Sequence, residues 1–149
     1  MNVMITGHRP HKLPTGTVPY VKLALVDALS DLPDDAELLV GMARGVDMWA
    51  VRVAVRLGIP FHAFIPFDGF DSRWPDADRA ALRWALSHAA SVSVVSSRPS
   101  KDAFLSRNGR MAELAHMAIA VWDGRYRSGT AASVRRLEQR DVPITVIPV

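Results

Sequence analysis

A chain of 149 residues with 49% hydrophobic and 22% charged positions has the size of one domain and enough apolar material for an ordinary core, which excludes disorder, collagen and coiled coil as whole-chain readings. The balance of 18 Lys and Arg against 15 Asp and Glu leaves a net charge of +3 with no dense basic run, so nucleic acid is not expected as a partner. The absence of cysteine excludes disulfides, thiolate metal sites and a cysteine nucleophile, and charges interrupt every apolar segment short of the ~18 residues needed to span a membrane, so a cytoplasmic protein with no membrane partner is expected.

The first apolar run, Val3 to Thr6, predicts a strand. Val18, Val21, Leu25 and Leu29 then recur at helical spacing ahead of Pro33. A second strand, Glu37 to Val40, leads to a helix with Val46, Trp49, Ala50, Val53, Ala54 and Leu57 on one stripe and Arg52 and Arg56 away from it. His62 to Ile65 predicts the third strand, and Ala81, Leu82, Ala85, Leu86 and Ala89 mark a helix after Pro75. Val92 to Val95 follows as a strand, then a short helix from Gly109 to Met117 with Met111, Leu114 and Ala115 facing inward, then a strand from Ala118 to Trp122. A last helix, Ala131 to Arg140, stops before Val142-Pro143, and Ile144 to Ile147 closes the chain as a strand.

Six strands thus alternate with about five helices. Runs such as IAVW and ITVI are continuously apolar, the pattern of strands covered on both faces in a parallel sheet. The expected fold class is α/β: a single doubly wound, Rossmann-like domain over residues 1–149 with a mainly parallel sheet.

Ligands of such folds bind outside the carboxyl ends of the strands, where strand order reverses. The segments after the strands are therefore the informative ones. Gly7 and Arg9 follow the first; Gly41, Arg44, Gly45 and Asp47, in GMARGVD, follow the second; Asp123 and Gly124 follow the fifth, with Ser128-Gly129-Thr130 beyond. Glycine at a strand-to-helix joint lets a backbone approach a ligand, and the free N–H groups of the helix face an anion. GMARGVD is therefore either a phosphate or carboxylate site or a tight structural turn, and Thr130 is either an N-cap or a hydroxyl donor to phosphate. Neither the dinucleotide fingerprint nor the P-loop pattern is present.

Arg9, Arg44, Arg107, Arg125 and Arg127 fall near strand ends, where guanidinium forks suit phosphate, although each taken alone reads more readily as a solvated surface residue. Glu113 is a candidate general acid or base, or an exposed helix charge. Trp74 and Trp84 suit stacking on a base, or the core. The five histidines show no metal-ligand spacing, and neither a metal nor a cofactor is expected.

Taken in order, MITGHRP, GMARGVDMWA, IPFDGF with Trp74 behind it, RNGRMAELAHMAIAVWDG and the closing SGT resemble the YpsA-type branch of the SLOG superfamily, the Rossmann-like group that includes the DNA-processing protein DprA and the LOG phosphoribohydrolases. The resemblance runs from about Met4 to Val134. It implies a pocket for a nucleotide or nucleotide-derived ligand such as ADP-ribose. Gly7, Arg9, Gly41, Gly45, Asp47, Asp123, Gly124, Gly129 and Thr130 match its loops, and Arg107 and Met111 are similar to the R-K-x-x-M stretch of LOG enzymes, with Asn108 replacing the lysine. LOG enzymes carry a glutamate three residues after the threonine of the last loop; here that position is Ser133.

Three readings follow. The first is binding or sensing of a nucleotide-like small molecule by Gly7, Arg9, Gly41, Arg44, Gly45, Asp47, Arg107, Asp123, Gly124, Gly129 and Thr130. The second is a LOG-like N-glycoside hydrolase acting on nucleotides, in which Arg107, Glu113 or Asp123 takes a catalytic role. The third, a DprA-like module for single-stranded DNA or protein, requires a basic groove lined with aromatics and ranks last on 7% aromatic content. A homo-oligomer is expected from the apolar helix faces this fold often pairs.

Overall fold

The computed structural model describes residues 1–149. Its elements are β1 (Asn2–Gly7), α1 (Val18–Ser30), β2 (Glu37–Val40), α2 (Val46–Leu57), β3 (Phe61–Ile65), α3 (Asp76–His88), β4 (Ser91–Val94), α4 (Lys101–Leu114), β5 (Met117–Trp122), α5 (Gly129–Gln139) and β6 (Ile144–Pro148), with a 3-10 turn at Pro10–Lys12. All six strands form one sheet in the order β4-β3-β2-β1-β5-β6, every neighbouring pair parallel. This is the doubly wound α/β fold expected from the sequence. No helix is long and apolar enough to cross a membrane.

The alternation of side chains along each strand divides the core in two. Val3, Ile5, Leu38, Val40, Phe61, Ala63, Ile65, Ile119 and Val121 face α1, α2 and α3, in a cluster of 22 buried residues. Met4, Leu39, Phe64 and Ala118 face the other way and pack with Met111 and Ala112 of α4 and Leu137 of α5, in a cluster of 8. Ala120 and Trp122 pack with Ala131 and Val134 of α5 in a third cluster of 4. Strands buried on both faces must be apolar at every position, which is why β1, β2 and β5 read as unbroken runs.

Two helices differ from expectation in their bounds, for local reasons. Helix α4 begins at Lys101 rather than Gly109, because Ser100 caps it by accepting a hydrogen bond from Ala103 N at 3.1 Å. The helix also ends at Leu114, and Met117 already belongs to β5, where its neighbour on β1 is Val3. Helix α5 starts at Gly129, with Ser128 rather than Thr130 as its cap; the Ser128 hydroxyl accepts from Ala131 N at 3.0 Å.

Candidate functional site

Strand order reverses between β1 and β5, and the chain leaves their carboxyl ends toward opposite layers. A cavity of about 330 Å³ lies there. Its walls are Thr6–Arg9 after β1, Ala43 and Asp47 at the β2–α2 joint, Arg107, Asn108 and Met111 of α4, and Ser128–Thr130 at the start of α5.

The β2–α2 joint is shaped by left-handed backbone at Met42 (φ 59°) and Gly45 (φ 89°). Asp47 holds the turn from below, its Oδ2 accepting a hydrogen bond from Ala43 N at 3.0 Å. The glycines here serve close packing of the protein against itself. A Cβ on Gly45 would lie 2.6 Å from the Pro10 ring, one on Gly7 would lie 2.7 Å from Val46, and one on Gly41 would lie 3.0 Å from the Arg107 guanidinium. Gly129 differs from these three, since the space beside it is open.

Arg107 is the central charge. Only 7% exposed, it reaches from the middle of α4 to the end of β2, where Nη1 donates to the Gly41 carbonyl and Nε donates to Asn108 Oδ1 at 2.9 Å. Its guanidinium lies 5.6 Å from the centre of the Phe104 ring. Nη2 makes no hydrogen bond within the protein, so one edge of the fork is left for the cavity. Burial lowers the pKa of Arg107, against the opposing pull of Asp47, and Arg9 lowers it further. Asp47, 8% exposed, is the matching acid: burial pushes its carboxyl up to about 6, with Arg107 and the Ala43 N–H acting in the other direction.

At the start of α5, the N–H groups of Ala131 and Ala132 are taken by Ser128. Those of Gly129 and Thr130 precede the first intrahelical bonds and border the cavity. The arrangement offers an anion two backbone donors, a helix terminus and half a guanidinium fork. No three His, Asp or Glu side chains converge anywhere in the fold.

Gly7, Arg9, Asp47, Arg107, Gly129 and Thr130 therefore surround one cavity, and Gly41 and Gly45 stand behind its wall. Arg44 sits at the rim of an adjoining cavity, paired with Asp78 at 3.6 Å. Asp123 lines a third, shallower hollow with His8, Lys12, Arg125 and Arg127. Its carboxyl is held below the usual range, chiefly by the Arg125 N–H at 2.9 Å and also by His8 at 3.3 Å. Gly124, with φ 80°, turns the loop that follows. Glu113 points into solvent beside Arg110 at 3.4 Å, outside all three hollows. Ser133 is 0% exposed, and its hydroxyl has no partner.

The sequence reading offered Trp74 for stacking but missed the three phenylalanines that complete the aromatic part of the site. The adjoining cavity, about 500 Å³, is lined by Phe67, Phe70, Trp74 and Phe104 together with Arg9, Arg44, Arg73 and Arg107. IPFDGF and Trp74 were the available signal. Phe104 was hidden by starting its helix at Gly109. Trp74 is half-buried, packing against the core on one side and lining this wall on the other, whereas Trp84 lies exposed on the outer face of α3 against Arg52 and His88.

A parallel sheet in this order, with a polar cleft at its point of reversal, defines a Rossmann-like domain. Residues 3–148 match the YpsA model, described as the YspA SLOG family, and the chain belongs to that family. No curated protein sequence matches it.

Among solved structures, the chain is similar to DNA processing protein A (DprA) of Streptococcus pneumoniae, at 21% identity and TM-score 0.71 over 99% of this chain and 50% of that one. It is similar to DprA of Helicobacter pylori, described for its single-stranded DNA binding mode, at 22% and 0.73 over 100% of this chain and 66% of the other. It is also similar to TM1055, at 14% and 0.64 over 96% and 71%. The chain thus spans less than two thirds of either DprA.

These likenesses overturn the expectation against nucleic acid as a partner, because one DprA that shares the fold is described as binding single-stranded DNA. The physical reason lies in the averaging: +3 and 7% aromatics describe the whole chain, while folding gathers four arginines and four aromatics around one cavity.

Proposed function

We propose that the domain binds a nucleotide or nucleotide-derived small molecule, with a phosphate held between Arg107 and the first N–H groups of α5. The observation that carries this reading is the buried guanidinium of Arg107, fixed on two sides and open on the third, at the point where strand order reverses. Asp47 offsets part of the cost of confining this charge, and an anion on the open side of the fork would offset more. The resemblance drawn from the sequence motifs implies the same class of ligand.

Calorimetric titration with nucleoside monophosphates, ADP-ribose and inorganic phosphate tests the reading, with binding expected for the nucleotides. Chromatography of the same mixtures tests hydrolysis, since released base would make the protein an N-glycosidase. Absence of binding by every compound would remove the proposal.

A second reading, single-stranded DNA laid along the same cleft, is favoured by the arginines and aromatic rings of the adjoining cavity. A labelled oligonucleotide whose binding weakens steeply with salt, and is displaced by the nucleotide, supports that reading.

A further inference from the structure

The phosphate cleft and the aromatic cavity are one groove, because Arg9, Ala43, Phe104 and Arg107 belong to the walls of both. Phe67 and Phe70 come from the turn after β3, Trp74 from the end of that turn, and Phe104 from the first turn of α4. They meet in two edge-to-face pairs, Phe67 with Phe104 at 5.6 Å and Phe70 with Trp74 at 5.3 Å between ring centres. All four are half-buried; Phe70 and Trp74 pack on one side against the core of the α1–α3 layer, and all four leave ring surface in the cavity wall.

Edge-to-face packing leaves ring faces free, and a flat heterocycle covers them better than an aliphatic group does. No carboxylate or side-chain amide lines this cavity, so nothing there reads the edge of a base with an acceptor carboxylate or a bidentate amide. Stacking would decide affinity, as it does where bases are held without sequence preference. Beyond the phosphate cleft the surface continues as Lys12, Arg125 and Arg127, with Tyr126 and the carboxylate of Asp123 among them. The Asp123 carboxylate already accepts from the Arg125 N–H at 2.9 Å and lies 3.3 Å from His8, and the three cations outnumber it, so positive charge extends further than a single phosphate requires.

On the reading of the cleft as a nucleotide site, we infer that the ligand is a nucleoside carrying at least two phosphates, with its base stacked in the Phe67–Phe70–Trp74–Phe104 cavity and its phosphates running past Arg107 to the start of α5. The orientation is set by the groove: Phe67, Phe70 and Trp74 line only one of its two parts, and the free N–H groups at the start of α5 border only the other. Base identity matters little, and loss of the base matters greatly.

The test compares ADP, UDP and inorganic pyrophosphate by calorimetry on the wild-type chain and on Trp74→Ala. ADP and UDP are expected to bind within about 5-fold of each other, and Trp74→Ala is expected to weaken both by roughly 5- to 150-fold while leaving pyrophosphate within about 2-fold. Tryptophan fluorescence of the wild-type chain should be quenched by ADP but not by pyrophosphate, with the quenching lost in Trp74→Phe; this readout stands even if the alanine variant fails to fold. Nucleoside diphosphates that bind without quenching and lose nothing in Trp74→Ala would overturn the base assignment and leave the phosphate cleft intact. Failure of all three compounds to bind the wild-type chain would overturn the cleft itself.

Discussion

Arg107 and Asp47 lie in a region that excludes most water, and loss of hydration shifts each of them more than their mutual attraction does. Arg107→Ala should weaken a phosphate-bearing ligand by roughly 10- to 150-fold, the range of a charge-assisted hydrogen bond, and Arg107→Lys should recover only part, because lysine keeps the charge without the fork. Titration calorimetry with a melting curve on the same variants checks both affinity and folding; lower stability with unchanged affinity would take Arg107 out of the site. Asp47 carries a pH signature. Burial lifts its pKa from 3.8 to about 6, so between those values the folded chain keeps a proton that the unfolded chain has released. Its contribution to stability therefore falls as pH rises through that window, by up to about 3 kcal/mol. Asp47→Asn should flatten this component, seen as the difference between wild-type and variant melting temperatures from pH 4 to 7; an unchanged difference would refute the raised pKa. The roles of these residues were partly legible in the sequence. GMARGVD and Arg107 stood out by type and place, but the partner of Arg107 did not, because Asp47 and the Gly41 carbonyl lie some 60 residues away and only the fold brings them together.

At the scale of elements, the glycine joints behave as packing devices. Gly45→Val forces a β-branched side chain to φ 89° and into the Pro10 ring, so a stability loss of at least ~2 kcal/mol should accompany any loss of binding, measured by chemical denaturation. Helix α5 gives a second case. Ser133 occupies the position where LOG-like enzymes carry glutamate, yet it lies on the core side of the helix at 0% exposure. Ser133→Glu should lower the melting temperature, since overpacking alone costs about 1–3 kcal/mol, and should not produce N-glycosidase turnover. Base release by that variant would show the assignment of the helix face to be wrong. The inner strands were legible within a residue or two because burial on both faces leaves them few polar positions, as in MAIAVW, whereas the edge strands β4 and β6 are mostly exposed, so ITVI is not covered on both faces as its apolar run suggested. Helix α4 was half hidden: Gly109 looked like a start signal, whereas it lies mid-helix with Arg136 of α5 laid across it, and the true start is the Ser100 cap.

Across the whole molecule, the two layers are unequal. The layer of α1, α2 and α3 rests on 22 buried residues, and the layer of α4 and α5 on clusters of 8 and 4 rich in alanine. Less apolar area holds the second layer, so amides of α4 and α5 should exchange with solvent faster than those of α2, β1 and β2 in hydrogen–deuterium exchange. Ligand should slow α4 and α5 most; uniform protection would argue against the proposed site. The fold class was legible because such layering writes itself into the order of apolar runs, while the aromatic cavity was not, since it is assembled from two segments 30 residues apart whose rings look ordinary in isolation. Arg107 is rooted in the weaker layer and ends over the lip of the sheet, against the strand that feeds the stronger one. It works as a latch between two leaves of unequal stiffness. Whatever anion engages the free side of its guanidinium adds a second bolt, and the leaf that carries the aromatic residue Phe104 is the one that is fastened.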